Sequence, residues 1–443
     1  MKVLDRLCLN DRVMNCLLCI YILQLFFVAE YLRKIFVLNF GWGNIYPLRL
    51  YTVGFFAILV FFRCWKEKRI AVPHLLLFML TFWGFIFIES LPFRSAQAGY
   101  SFIDMLPFAG KILGRPEPAY SFAKEQLYIY AYFLILVNYG LNKDCFYRVI
   151  NYSLIAGILI CAVTYIGYCG LIDINTDFRI HQINQAIFRG DHHFRPKGLL
   201  INGNHISYIC AFSILFLIIK QRYENKFTKR YILRDILIIL FLVSMPIINV
   251  SIGAAITSLI LIPYYFFIAW RKSTDIAVKA VLIGIVLLVI IVVGPKISET
   301  NLVLRMKSYT FEKSERIKNL TNAWTNFKSH PFVGVGYNSA AINETSSIYR
   351  TNNQFVQLMA SSGIFYFLIY LCYFFRFYIY KLPLLKRPEV LLALIMVLIH
   401  SMLRRPMNMF PIFGYIAAYF CTCEPAEKVG SFENNKTGAV MDK

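Results

Sequence analysis

Arginines at the ends of apolar segments are the residues of this chain best suited to chemistry. Arg195, Arg316 and Arg350 all stand in polar stretches that border or connect long apolar runs. A guanidinium is always charged and offers a planar fork of donors, so it can neutralise a diphosphate without a metal ion. Each could instead serve as an interfacial anchor, a solvated-face charge or a helix cap.

Polar side chains that could bind sugar hydroxyls or move a proton accompany two of these arginines. The group that follows Arg195 comprises Lys197, Asn202, Asn204 and His205. The group that follows Arg350 comprises Asn352, Asn353 and Gln354. Amides before an apolar run also cap helices. A histidine such as His205 is more often a hydrogen-bonded bundle residue than a general base, and both interpretations stay open.

The composition indicates what holds these residues in place. Apolar residues make up 58% of the 443 residues and charged residues only 16%, whereas a soluble domain carries roughly 25% charge. The 40 Phe and 29 Tyr exceed what a single globular core buries, so the surplus must face lipid. The chain is therefore predicted to be an all-α polytopic membrane protein, which excludes the soluble-enzyme, coiled-coil and disordered classes.

About twelve apolar runs approach the length of about 20 residues that a bilayer span needs. They lie near 13–36, 46–64, 72–90, 121–141, 147–170, 198–219, 232–249, 252–270, 278–295, 354–375, 389–403 and 409–423. Four short loops rich in Lys and Arg fall on one side, which the positive-inside rule makes cytoplasmic together with both termini. The predicted division of the chain is a nine-span bundle (1–295), a large outer loop (296–353), C-terminal spans (354–423) and a disordered cytoplasmic tail (424–443).

The net charge of +22 has a membrane explanation. In a soluble chain it would suggest nucleic acid, but here the cations punctuate apolar runs, so membrane lipids and anionic lipid-linked ligands are the expected partners. The 11 cysteines lie mostly inside apolar stretches and form no zinc or disulfide pattern. His192 and His193 lack a second ligand cluster, so neither a metal nor another cofactor is predicted.

The stretch 312–363 is the most informative part of the chain. An amphipathic helix is predicted over 312–328, lying on the membrane surface or against the bundle, because Ile317, Leu320, Trp324 and Phe327 are spaced by three and four residues. His330-Pro331 ends that helix, and Gly334 and Gly336 permit tight turns. The polar cluster 350–354 then leads into a span that contains Gly363.

These residues, in this order, resemble the superfamily of O-antigen polymerases and O-antigen ligases, which are bacterial inner-membrane glycosyltransferases. The resemblance rests on Arg316, Trp324, His330-Pro331, Gly334 and Gly336, on the polar cluster before Gly363, and on the segment from Arg195 to His205. It covers about 195–363. The chain departs from the family twice: it has Ser251-Ile252-Gly253-Ala254 where a Ser-Arg-Gly element is often found, and Asn352-Asn353 where ligases have His-Asn.

The resemblance implies an activity and a site. Such enzymes use an undecaprenyl-diphosphate-linked oligosaccharide as donor. A hydroxyl of the acceptor sugar displaces the diphosphate at the periplasmic boundary of the inner membrane. Arg195, Arg316, Arg350 and His205 are the implied catalytic residues, and Lys197, Asn202, Asn204, Asn352, Asn353 and Gln354 the implied substrate-binding residues. A polymerase is favoured because the ligase histidine is missing. A chain-length regulator protein is then expected as a further partner.

Two alternatives remain open. One is a ligase that moves finished glycan onto a lipid A core or a protein. The other is an exporter or flippase of the same lipid-linked oligosaccharide, which would need cations deep in the bundle. The basic residues instead cluster at span ends and in outer loops, and this favours an enzyme.

Overall fold

A computed structural model describes the helical core of the protein. The described residues are 11–26, 46–68, 70, 134–139, 143–168, 180–182, 194–196, 203–249, 251–288, 315–332, 334, 353–380 and 388–403. The predicted spans 72–90 and 409–423, the loop 91–120 and the tail 424–443 lie outside them.

The described part is mostly helical, in agreement with the sequence. In chain order its helices are α1 (Asp11–Phe26), α2 (Tyr46–Lys66), α3 (Lys143–Tyr168), α4 (Gly203–Glu224), α5 (Lys229–Ile248), α6 (Ile252–Lys272), α7 (Ile276–Leu288), α8 (Glu315–Ser329), α9 (Gln354–Tyr380) and α10 (Pro388–Leu403). Residues 134–139 are also helical.

Four helical segments of the described residues are long and apolar enough to cross a membrane. They are Asp144–Ile166, Ile206–Glu224, Lys229–Ile248 and Ile252–Lys272. They correspond to the fifth to eighth predicted spans. A chain with several such helices is embedded in the membrane, as its composition predicted.

The prediction of an all-α chain is wrong in one loop. Strands β1 (Ile180–Gln182) and β2 (Phe194–Pro196) form an antiparallel pair between α3 and α4. At three residues each, the strands are too short for an alternating pattern to reveal them. Arg195 lies in β2 opposite His181, and the described part of α4 begins at Gly203.

Helix α4 is the centre of the bundle. It packs against α3, α5, α6 and α10, and every side chain from Ile206 to Ile219 is buried. Helix α3 approaches it closely at Gly157, where an added Cβ atom would lie 1.8 Å from Oγ of Ser213. Glycine at this position therefore allows the backbone of α3 to reach the central helix.

Acidic side chains, two of them buried, hold one end of the bundle together. This is the end where α4 finishes and α5 begins, and we call it the inner end because the predicted topology makes it cytoplasmic. Three acids lie there, and each accepts a hydrogen bond from a tyrosine hydroxyl and pairs with a cation. The groups are Glu224 with Tyr147 and Lys226, Asp235 with Tyr265 and Arg234, and Glu389 with Tyr264 and Arg222. They connect α3 to α4, α5 to α6, and α10 to both α4 and α6.

Candidate functional site

Chain direction places several candidate residues at the opposite end of the bundle, the outer end. Helix α4 runs from Gly203 towards the inner end, so Asn204 and His205 lie in its outer first turn. Helix α3 begins beside Glu224 at the inner end and runs outwards, and β2 with Arg195 packs near it. The first turn of α4 is therefore part of the outer end.

Asn353 and Gln354 also belong to the outer end. Glu389, in the first turn of α10, contacts Arg222 and Tyr264 near the inner end. A short connection joins α9 to α10, so α9 finishes near the inner end and Asn353 stands at its outer start. The remaining candidates Lys197, Asn202, Arg350 and Asn352 fall outside the described residues.

Asn353 caps α9. Its Oδ1 atom accepts hydrogen bonds from the backbone amides of Phe355 (3.0 Å) and Val356 (3.2 Å). This is the N-cap arrangement, which satisfies amides that have no partner within the helix. The cap engages the amide oxygen of Asn353, and the role of this side chain in binding sugar stays a prediction.

The His-Pro segment docks on a break in α9. Gly363 has φ 74° and ψ 179°, a conformation essentially confined to glycine, and it divides the helix into two parts. The amide of Ile364, which follows the break, donates a hydrogen bond of 2.8 Å to the carbonyl of Pro331. The rings of Phe332 and Phe365 stack beside this bond with centroids 5.6 Å apart. Two motifs that are separate in sequence thus meet in the fold.

The shape of that segment depends on a second glycine. Gly334 has φ 68°, in the left-handed region, and is buried. Its amide donates a hydrogen bond of 2.9 Å to the carbonyl of His330, which closes the turn. The imidazole of His330 is exposed, and its Nδ1 atom lies 3.0 Å from the hydroxyl of Ser329. The exposed ring could therefore reach a bound ligand without rearrangement of the turn.

Helix α8 packs against α9, which agrees with the predicted placement against the bundle. Ala323 is buried, and the neighbouring Trp324 is 42% exposed. The rings of Trp324 and Phe327 lie 5.3 Å apart. Arg316 is the second residue of α8, and the opposite end of that helix, at Ser329, leads into the His-Pro segment that contacts the break in α9.

A buried polar turn between α5 and α6 is a feature of the outer end that the sequence did not single out as a site. Asn249 and Ser251 are 0% and 2% exposed, although such a turn would ordinarily face water. Thr257 and Ser258, one turn further along α6, are buried too, and their hydroxyls bond to carbonyls of their own helix. The turn contains the Ser251-Ile252-Gly253-Ala254 stretch that lacks the arginine typical of the family.

The described residues contain no group of three or more His, Cys, Asp or Glu side chains that could hold a metal ion. The three acids of the inner end are each engaged by a cation and a tyrosine, so their arrangement serves to join helices. Cations and amides at the outer end, by contrast, are suited to binding an anion and hydroxyl groups.

Comparison with known proteins supports the family that the motifs predicted. Residues 236–371 match the family model described as O-antigen ligase. The match runs from α5 through the buried turn, α8 and the His-Pro segment to beyond the break in α9, and it supports the O-antigen polymerase and ligase superfamily. Arg195 and His205 lie outside it. No curated protein matches the chain.

Proposed function

We propose that this chain is a polymerase of O-antigen or a related surface polysaccharide. It joins oligosaccharide repeat units that are carried on undecaprenyl diphosphate, at the periplasmic face of a bacterial inner membrane, with both termini in the cytoplasm. The observation that carries the proposal is the docking of the His-Pro segment on the break in α9, because both elements belong to the region that matches the O-antigen ligase family.

The proposed reaction is a displacement at the anomeric carbon of the donor sugar. A hydroxyl oxygen of the acceptor repeat unit forms the new glycosidic bond while the bond from that carbon to the diphosphate breaks. The electron pair of the broken bond leaves with the carrier diphosphate, and the proton of the hydroxyl is released. Because the diphosphate is a good leaving group, the main tasks of the protein are to neutralise it and to align the two sugars.

The proposed roles follow from this chemistry. Arg195, Arg316 and Arg350 neutralise the diphosphate without a metal, since their guanidinium groups pair with it through two hydrogen bonds each. His205 takes the proton if base assistance is needed. Lys197 and the amides of Asn202, Asn204, Asn352, Asn353 and Gln354 bind phosphate or sugar hydroxyls. A separate chain-length regulator would set the number of repeats.

Deletion of the gene in its host tests this proposal. We expect the extracted lipopolysaccharide to show core bearing one repeat unit, with the ladder of longer chains lost on a silver-stained gel. Bare core with polymer still accumulating on the carrier would instead identify a ligase. An unchanged ladder would contradict both activities and favour an exporter or a different polysaccharide.

Complementation with point variants then tests the site. Arg195→Lys and Arg316→Lys keep the charge but remove the planar fork, so we expect a shortened or absent ladder. Arg271→Lys is the matched control, because Arg271 is an exposed residue in the last turn of α6 at the inner end. A full ladder from both outer variants, at normal protein levels, would refute the assignment of these arginines.

A further inference from the structure

The buried turn between α5 and α6 contains an acceptor atom that the protein leaves without a partner. The side-chain oxygen Oδ1 of Asn249 is buried and receives no hydrogen bond within the described structure. The backbone amide of Asn249 donates a hydrogen bond to the carbonyl of Met245 at 2.9 Å. The side-chain Nδ2 of Asn249 has only a weak contact of 4.0 Å with Sδ of Met245. A buried carbonyl of this kind is unfavourable unless it receives a hydrogen bond from an ordered water or from a bound ligand.

Helix geometry places Asn249 level with the candidate residues of α4. The connection 225–228 joins α4 to α5 at the inner end. Asn204 lies twenty residues before Glu224, the last residue of α4, and Asn249 lies twenty residues after Lys229, the first residue of α5. At 1.5 Å per residue both residues stand about 30 Å from the inner end. Helices α4 and α5 pack against each other, so the two asparagines belong to the same outer layer of the bundle.

We infer that Asn249 is a substrate-binding residue whose side-chain oxygen accepts a hydrogen bond from a sugar hydroxyl of the glycan. The inference rests on the proposed function, because that function brings a hydroxyl-rich ligand to the outer end. A hydroxyl is a donor of the kind that an isolated amide oxygen requires. The buried turn also lies within the region that matches the family model, as a binding residue of that domain should.

The chain offers a matched control for this inference. Gln221 is 2% exposed, and both polar atoms of its side-chain amide lack a partner in the described structure. It lies on α4 close to Arg222, near the inner end, far from the proposed reaction. Asn249→Leu and Gln221→Leu therefore remove the same kind of buried, unsatisfied amide from opposite ends of the bundle.

The test measures binding, turnover and thermal stability on the full-length protein in detergent. The ligand is the lipid-linked repeat unit extracted from host cells that lack this chain. We expect Asn249→Leu to weaken binding of this lipid and to lower kcat/KM for polymerisation by about tenfold or more. Both Leu variants should unfold at or above the wild-type temperature, since each loses an unsatisfied polar atom. Gln221→Leu should bind and polymerise as the wild type does.

The possible results separate the inference from the proposed function. Normal binding and turnover by Asn249→Leu would overturn the inference. If the wild type neither binds nor polymerises the repeat unit, the proposed function fails and this inference fails with it. Should Asn249→Leu not fold, Asn249→Ala replaces it, with the same tenfold loss expected and the same overturning result.

Discussion

The contact between Gly157 and Ser213 makes a sharp prediction about the core of the bundle. In Gly157→Ala the new Cβ atom would lie 1.8 Å from Oγ and 3.0 Å from Cβ of Ser213, and 3.7 Å from Cγ2 of Ile209. The serine hydroxyl is held by a hydrogen bond of 2.8 Å to the carbonyl of Ile209. It would have to recede by about 1.6 Å to reach an ordinary contact distance of 3.4 Å.

The expected cost is that of overpacking a close-packed core, about 1–3 kcal/mol. The intrinsic preference of a helix for Ala over Gly, up to about 1 kcal/mol, opposes it. A clear net loss of stability therefore requires that α3 and α4 cannot separate cheaply. The loss is measured by heating the full-length protein in detergent to a series of temperatures. At each temperature, the height of the monodisperse gel-filtration peak reports the fraction that is still folded.

A control and a second-site variant complete this experiment. Gly54→Ala makes the same change in α2 at a position where the added Cβ atom meets nothing within 4 Å, so it should be neutral or slightly stabilising. Ser213→Ala removes the clashing hydroxyl, so Gly157→Ala combined with it should recover part of the lost stability. Equal stability of Gly157→Ala and Gly54→Ala would refute the close approach of α3 to α4.

Three further predictions concern other contacts. Gly363→Ala should cost about 1–3 kcal/mol because the break in α9 has φ 74°, and polymer length should fall with it on the silver-stained gel. Asn353→Ala should lower the unfolding temperature by removing a cap that contributes about 1 kcal/mol, whereas Asn353→Asp keeps the oxygen acceptor and should unfold like the wild type. Glu389→Gln should destabilise the protein by about 1.5–3 kcal/mol, the contribution of a hydrogen bond to a charged group, and by less than the breaking of a fully buried pair because Arg222 is 42% exposed and stays solvated. A double-mutant cycle with Arg222→Gln in detergent unfolding measures this, and additive losses would contradict the pairing.

Much of the helical frame could be predicted from the sequence because hydrophobic runs end at charged residues. The predicted span 252–270 corresponds to Ile252–Lys272, and 232–249 corresponds to Lys229–Ile248. The predicted span 198–219 corresponds to Gly203–Glu224, and residues 198–202 lie outside the described part of the chain.

The contacts that shape the candidate site were harder to predict from the sequence, because they join residues that are far apart in the chain. The sequence singled out His330-Pro331 and Gly363, but the hydrogen bond from Ile364 to Pro331 depends on how α8 lies against α9. Asn249 gave no signal of its own: an asparagine after an apolar run is most often a helix end. Only its burial, together with the missing partner of its oxygen, distinguishes it.

The break in α9 has a consequence for how the protein is made. Helix α9 is a predicted span, and an interrupted backbone within a span carries an amide that lipid cannot satisfy, which costs several kcal/mol in hydrocarbon. The carbonyl of Pro331, which meets this amide, belongs to a segment that leaves the ribosome before the span does. The carbonyl of Pro331 is therefore synthesised before the amide of Ile364, so this acceptor is already present when α9 inserts. A circular permutation that moved residues 315–334 behind α9 would reverse that order and leave the span exposed to lipid while it waits.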